Sequence, residues 1–125
     1  MHLLEVVRKE HLIHKKPKTE SSKEYPYSAS AKIFHTKQLF LYSEKVEPGR
    51  KSSAPHFHKA IDEIAIVTKG ELYAYEDDKE VLLKTGDSIC FFANSKKKHY
   101  LYNKSELDAE FLLFRKNITQ EDVVY

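Results

Sequence analysis

The residues best suited to chemistry lie in one short stretch, where two histidines separated by a single residue are followed by two acids. In an extended strand, side chains two residues apart point to the same side, so His56 and His58 project together while Phe57 faces away. A carboxylate on the next strand, five residues after His58, would complete a grouping of two histidines and one carboxylate. The spacing therefore predicts a site for divalent iron or a related metal, with Glu63 as the carboxylate.

The acid beside Glu63 is an alternative ligand. Asp62 takes that position if the bend before the strand falls one residue earlier, and spacing alone allows either acid. Alternation from Glu63 through Ala65 and Val67 gives one side of a strand small and apolar side chains, as expected of a cavity wall. This alternation favours Glu63.

Short segments rich in Tyr, Phe, Ile, Val and Leu follow one another from residue 25 onwards. Turn-prone groups such as Glu47-Pro48-Gly49 and Thr85-Gly86-Asp87 separate them. This region has no long stretch with an apolar period of 3.6, which disfavours helices and a parallel sheet. The pattern predicts an all-β sandwich or closed barrel. The predicted strands are 33–34, 38–43, 61–68, 71–75, 80–83, 88–92, 99–102 and 109–115.

Glycines around the two histidines extend the pattern. The chain resembles the first signature of the cupin superfamily, which combines a Gly, a His-x-His pair, a Glu and a second Gly. The matching residues are Gly49, His56, His58, Glu63 and Gly70. The gap between Gly49 and His56 is one residue longer than is usual in that signature.

The second cupin signature is matched in part. Gly86 opens it, and His99 with Asn103 reproduces its His-x-x-x-Asn ending. Phe92-Ala93-Asn94 stands where a Pro-x-Gly turn is expected, and Asn tolerates left-handed backbone angles better than other residues except Gly. His99 comes two residues later than usual, which predicts a longer turn over 96–98.

The resemblance implies an all-β fold: a cupin-type antiparallel β-barrel, also called a double-stranded β-helix or jelly roll. It implies one divalent transition metal ion (Fe, Mn, Ni, Co, Cu or Zn), held by His56, His58, Glu63 and His99. Small cupins include dioxygenases, isomerases and lyases, so a metal-dependent enzyme acting on a small molecule is expected, with its reaction and catalytic residues open. The alternative is a non-catalytic, metal-assisted binding or sensor module.

Three segments are predicted: a polar N-terminal arm over 1–24, the β-barrel over 25–118 and a C-terminal tail over 119–125. The arm is expected to be mobile or to lie along a sheet edge. In the tail, Thr119 and Asp122 resemble a capping pair and predict one turn of helix.

Two further histidines lie in the arm. The segment Glu10-His11-Leu12-Ile13-His14 has its acid on the wrong side of the first histidine for a zinc-protease motif. His11 and His14 are therefore predicted to be a solvated pair.

Composition excludes several classes of protein. The 125 residues fit one domain, and 41% hydrophobic with 32% charged residues is typical of a soluble globular protein. A net charge of +2 is too balanced to indicate a nucleic-acid binder, and the longest hydrophobic run, 89–93, is far below the roughly 20 residues of a membrane span. The single cysteine, Cys90, and the absence of a signal-like N-terminus predict a cytoplasmic protein.

The predicted partners are small molecules and a second copy of the chain. Lys96-Lys97-Lys98 precedes His99 and either attracts an anion towards the barrel mouth or is simply a hydrated charged turn. We therefore expect a small polar molecule, anionic in the first case, and neither nucleic acid nor membrane. Exposed edge strands and the polar arm predict a homodimer. Tyr100 and Tyr102 are expected to face away from the pocket and to serve in packing.

Overall fold

The structure, a computed structural model, describes residues 3–21 and 23–125. In this part of the chain, a single 3₁₀ turn over Lys9–His11 precedes ten β-strands. The strands are β1 Ala29–His35, β2 Leu39–Val46, β3 Phe57–His58, β4 Glu63–Lys69, β5 Glu71–Glu76, β6 Lys79–Lys84, β7 Ser88–Phe91, β8 His99–Tyr102, β9 Ala109–Lys116 and β10 Val123–Val124. The predicted all-β architecture is confirmed. Strand β3 lies in the stretch that was expected to be extended around His56 and His58, whereas β10 was not predicted from the sequence.

All strand pairs are antiparallel and form three sheets. A five-stranded sheet has the order β1-β2-β9-β4-β7, a three-stranded sheet has the order β6-β5-β8, and β10 pairs with β3. The two larger sheets share one apolar core, which is the layout of a double-stranded β-helix. The core residues are Val46, Ala65, Val67, Leu72, Ala74, Leu83, Phe91, Leu101, Ala109 and Phe111.

Strand β4 shows how the sequence positions the site. Burial alternates along it, because Glu63, Ala65 and Val67 face the interior while Ile64 and Ile66 are on the outer face. The same inward side therefore carries apolar core residues and, at the start of the strand, a buried carboxylate.

Two turns have the backbone geometry expected from their residues. Gly70 joins β4 to β5 with φ +70°, and a Cβ at this position would lie 3.2 Å from the Asp108 carbonyl oxygen. Asn94 has φ 57°, which confirms that Asn occupies a left-handed turn position in place of glycine.

The tail differs from the prediction. Residues 119–122 form no helical turn, and Val123 and Val124 pair instead with His58 and Phe57 of β3. The prediction of a capping pair is wrong, because the Asp122 carboxylate accepts hydrogen bonds from the His58 ring and the Ala60 amide rather than from its own local backbone.

The arm contacts the rest of its own chain through backbone pairing and through side chains. Lys15 and Ser30 form a β-bridge, so the arm meets the edge strand β1. His14 is not solvated as predicted, because its Nε2 lies 2.8 Å from Ser43 Oγ and 3.8 Å from a Glu110 carboxylate oxygen. His11 is exposed.

Candidate metal centre

Three separated stretches bring the predicted histidines together. His58 belongs to β3, His99 opens β8, and Glu63 opens β4. A β-bridge joins His56 to His99, with the His99 amide donating to the His56 carbonyl oxygen at 2.8 Å. Backbone pairing therefore fixes two of the imidazoles side by side although 43 positions separate them in the sequence.

All three imidazoles point their Nε2 atoms at one carboxylate oxygen. Glu63 Oε1 lies 2.8 Å from His99 Nε2, 3.1 Å from His58 Nε2 and 3.4 Å from His56 Nε2. Glu63, His58 and His99 are each at most 5% exposed. One ligand atom each from His56, His58 and Glu63 fall within 4.8 Å of one another, which is compact enough to hold a metal ion.

The second ring nitrogens of two histidines are held by groups that only accept hydrogen bonds. His56 Nδ1 lies 2.9 Å from the Ala54 carbonyl oxygen, and His58 Nδ1 lies 2.7 Å from Asp122 Oδ1. Both Nδ1 atoms therefore carry a proton, which in a neutral imidazole leaves the lone pair on Nε2. This is the tautomer that a metal ligand needs, and a carboxylate partner is a common support for such a ligand.

The donor set fits a divalent cation. With neutral rings, the lone pairs of His56 and His58 face Glu63, whose carboxylate can only accept, so a positive charge must lie between them. A divalent metal ion at this position would supply that charge. Two imidazoles with a carboxylate suit Fe, Zn, Cu, Ni and related ions.

Electrostatics of the centre follow from burial and close contacts. Burial alone would raise the pKa of Glu63, but the close approach of the His56, His58 and His99 rings holds that pKa well below its usual range. Burial lowers the pKa of His58, whereas Glu63 and Asp122 raise it by more. The carboxylate is therefore ionised at neutral pH and available as a ligand.

His99 is supported by packing. Its ring stacks on Phe91 with centroids 3.9 Å apart and planes at 3°, and its Nδ1 is buried without a hydrogen-bond partner among the described residues. Phe91 therefore holds the ring plane of His99 without a polar contact.

The choice between the two acids is decided by the direction of their side chains. Asp62 is exposed, and its Oδ1 accepts a hydrogen bond from the Ala93 amide at 2.8 Å. Glu63 faces the three histidines. The carboxylate predicted by strand alternation is the one that meets them.

Residues 42–115 of the chain match the Cupin domain family. The chain belongs to the cupin family. An oxalate-binding protein from Thermotoga maritima is 32% identical to this cupin over 89 residues, which is 71% of each chain.

Solved structures share the fold. A sugar phosphate isomerase from Silicibacter pomeroyi has a TM-score of 0.83 and 23% identity, covering 97% of this cupin and 81% of its own chain. A polyketide cyclase from Streptomyces resistomycificus has a TM-score of 0.76 and 14% identity, and the match covers 98% of this cupin and 87% of the cyclase chain. A structure described as a predicted oxalate decarboxylase from Thermotoga maritima has a TM-score of 0.72 and 22% identity, and the match covers 91% of this cupin and 100% of the other chain. At these identities the likeness establishes the fold alone.

The candidate metal centre of this cupin opens into a cavity of about 520 Å³, within the range of small-molecule sites. Its lining includes the four predicted ligands together with residues that the sequence did not single out. Those missed residues are Glu44, Arg115, Ser28, Ser30 and Tyr125.

Glu44 is a second buried carboxyl in this cavity. It is 6% exposed, and both Ser28 Oγ and Ser30 Oγ donate to its Oε2 atom. Burial raises its pKa, while the serine hydrogen bonds and Arg115 act in the opposite direction. Its position in β2 next to the buried Ser43 breaks simple alternation, so the strand pattern did not indicate that Glu44 would be buried.

Other predicted features lie outside the centre. The Lys96–Lys98 side chains are exposed, as expected of a charged turn. Tyr100 stacks on Tyr75 with centroids 5.0 Å apart, although Tyr100 also borders the cavity. Burial raises the pKa of the Cys90 thiol, which makes the thiolate scarce at neutral pH.

No helix in residues 3–21 and 23–125 combines the length and apolar character required to cross a membrane.

Proposed function

We propose that this cupin is a metal-dependent enzyme acting on a small anionic molecule, with one divalent transition metal ion held by His56, His58, Glu63 and His99. The observation that carries the proposal is the convergence of three buried or half-buried imidazoles on one ionised carboxylate at a cavity wall. Iron, manganese, nickel, cobalt, copper and zinc are all compatible with these nitrogen and oxygen donors.

When bound, the ion supplies Lewis-acid or oxygen-binding chemistry at positions that protein ligands leave open. The chain itself fixes the ligand geometry. Asp122 and the Ala54 carbonyl oxygen hold the tautomers of His58 and His56, and Phe91 fixes the ring of His99. Apolar neighbours such as Leu101 exclude water from the inner wall.

Similarity to named proteins supports an anionic substrate. The Thermotoga maritima relative is named for oxalate, and the Silicibacter pomeroyi structure is named for sugar phosphates. Both named compounds are anions of small size. The exposed Lys96–Lys98 turn next to His99 would add positive potential at the same end of the fold.

A second candidate function is non-catalytic binding. The 32% identical relative is named as a binding protein rather than as an enzyme, which favours this alternative. Metal-loaded protein incubated with oxalate and with sugar phosphates separates the two functions: oxygen uptake or product formation supports the enzyme, and saturable binding without turnover supports the binder.

Metal analysis tests the centre directly. Protein purified without a metal-affinity column is expected to contain close to one divalent transition metal ion per chain. His58→Ala should lower the metal content sharply and leave a folded β protein by circular dichroism. The matched control is His11→Ala, because His11 is exposed in the arm. Unchanged occupancy in His58→Ala contradicts the ligand assignment.

We also propose the homodimer, the domain limits 25–118 and the cytoplasmic location predicted from the sequence. Exposed apolar residues support the dimer, since Leu3, Leu4 and Val6 of the arm and Ile64 on the outer sheet face are uncovered in the single chain. Light scattering coupled to size-exclusion chromatography tests it, and a monomeric mass at micromolar concentration contradicts it.

A further inference from the structure

The cavity wall has a second polar group besides the metal centre. Strand β9 places Arg115 opposite Glu63 on β4 and opposite Phe40 on β2, and both Arg115 and Glu44 line the cavity. The two side chains carry opposite formal charges but form no ion pair with each other within 4.0 Å.

Arg115 forms no ion pair within 4.0 Å with any carboxylate in the described part of the chain. Its Nε atom is buried and has no hydrogen-bond partner among the described residues, while its guanidinium lies 5.3 Å from the centroid of the Phe40 ring. A buried N–H without an acceptor costs free energy, which a bound acceptor would recover. Guanidinium groups bind carboxylate and phosphate oxygens through paired hydrogen bonds. An oxyanion of a ligand fits this position.

Glu44 offers an acceptor to the same space. Its Oε2 atom receives both serine hydroxyl groups, whereas its Oε1 atom accepts no hydrogen bond from any residue that the structure describes. Ser28 Oγ lies 3.0 Å from Glu44 Oε2 and also 3.0 Å from the Ser52 carbonyl oxygen.

This geometry suits Glu44 with or without a proton. Ser28 has one hydroxyl proton, which it can give to the Ser52 carbonyl oxygen when Glu44 is protonated or to Glu44 when the carboxyl is ionised. The carboxyl can therefore accept a hydrogen bond from a hydroxyl group or donate one to it. An ammonium group fits less well, because Arg115 and a bound metal ion already make the cavity cationic and burial favours neutral Glu44.

We infer that Arg115 and Glu44 form the substrate-recognition half of the cavity and select a small hydroxylated oxyanion. Arg115 binds the anionic group, Glu44 binds a hydroxyl group, and the remaining polar atoms of the ligand face the histidines. This inference rests on the proposed function, since it assigns the ligand class of the same site. The anionic group is a carboxylate or a phosphate, which share the oxygen geometry that a guanidinium recognises.

Five three-carbon probes test the ligand class by isothermal titration calorimetry with Mn²⁺-loaded protein. Propionate, lactate and alanine share a carboxylate and carry hydrogen, hydroxyl or ammonium on the second carbon. Lactate is expected to bind more tightly than both others. Glycerol 3-phosphate against glycerol tests phosphate as the anion, and glycerol without an anionic group is expected to bind most weakly. Equal affinity for glycerol and for the anions overturns the inference, as does tighter binding of alanine than of lactate.

Variants test the two residues. Arg115→Gln should weaken binding of lactate or glycerol 3-phosphate by about tenfold or more, with partial recovery in Arg115→Lys. Glu44→Gln should reduce the preference for lactate over propionate. The matched control is Lys116→Gln, because Lys116 is the exposed neighbour on β9. If Arg115→Gln binds lactate and glycerol 3-phosphate as tightly as wild type, and Glu44→Gln keeps the wild-type preference for lactate over propionate, the assignment of Arg115 and Glu44 to substrate recognition is overturned.

Metal content of each sample separates this inference from the proposed function. Arg115→Gln and Glu44→Gln should retain metal, because neither residue is among the proposed ligands. If the wild-type protein holds no metal but still binds lactate through Arg115, the metal proposal fails and the recognition site stands. If metal is bound and no probe discriminates, the recognition site fails alone.

Discussion

His58 and His99 point at the same carboxylate oxygen, but the fold supports the two rings by different forces. The carboxylate of Asp122, in the tail, lies 2.7 Å from His58 Nδ1. His99 has an aromatic ring against its face and no hydrogen-bond partner on Nδ1 in the described part of the chain. One ligand is thus oriented by charge and the other by packing, so substitutions of the two supports should give different experimental signatures.

Replacing the packing support should have the largest effect. Phe91 is 6% exposed and belongs to the core, so Phe91→Ala should lower the free energy of unfolding by about 3–5 kcal/mol. Urea unfolding of the metal-free protein measures it. Phe92→Ala is the matched control, since Phe92 is 68% exposed and should change stability by less than about 0.5 kcal/mol. Similar losses of unfolding free energy in Phe91→Ala and Phe92→Ala would contradict the role of Phe91 as a packing support distinct from the charged support at Asp122.

Replacing the charged support should affect the metal more than the fold. Asp122→Ala leaves His58 Nδ1 without its acceptor, so metal affinity should fall by about 10–100-fold, as for other carboxylates behind metal-bound histidines. Chelator competition measures the affinity. Asp122→Asn should lose less, because the amide oxygen can still accept the hydrogen bond. Glu121→Gln, at the exposed neighbour, should behave as wild type, and an unchanged affinity in Asp122→Ala would show that the tail does not orient His58.

The contrast also explains what could be predicted from the sequence. The two-residue strand period was enough to place His56 and His58 on one side, and alternation along the next strand favoured Glu63 over Asp62 as the carboxylate. His99 was found through the resemblance to the second cupin signature, which Gly86 and Asn103 also match. These features depend on local geometry and spacing, and the structure brings all four side chains together.

Asp122 and Arg115 could not be found in this way. Asp122 reaches His58 across 64 positions, and nothing near the tail indicates that contact, so a local capping role was the simpler prediction. Arg115 ends a predicted strand, and its environment depends on which strands become its neighbours in the sheet. Partners that depend on sheet order cannot be deduced from alternation within one strand.

A smaller effect should separate the two supports by pH in metal-free protein. Burial lowers the pKa of His58, but Glu63 and Asp122 raise it by more. The contribution of protonated His58 to the stability of the fold is therefore complete below about pH 6.5 and is lost as pH rises through the raised pKa. Burial raises the pKa of Asp122, but hydrogen bonds from His58 and the Ala60 amide lower it by more. The contribution of Asp122 to stability is therefore present above about pH 3.8 and is lost as pH falls through the lowered pKa.

The stability difference between wild type and Asp122→Ala should therefore be greatest between about pH 3.8 and 6.5 and should shrink at higher pH. Urea unfolding in the presence of a chelator across this range measures it. The loss caused by Phe91→Ala comes from apolar burial and should stay nearly constant. A pH-independent loss in Asp122→Ala would mean that Asp122 contributes packing or backbone hydrogen bonds alone.

The smallest effect is expected at the third histidine, which extends the comparison to a ring held by the backbone. Ser53 Oγ is 3.3 Å from His56 Nδ1, but the Ala54 carbonyl oxygen is closer at 2.9 Å and cannot be removed by a side-chain substitution. Ser53→Ala should therefore change metal affinity by less than about twofold, the size of a weak hydrogen bond. Chelator competition under the conditions used for Asp122→Ala gives the comparison. A tenfold loss would show that the Ser53 hydroxyl, and not the Ala54 carbonyl, orients His56, and that side chains support all three rings.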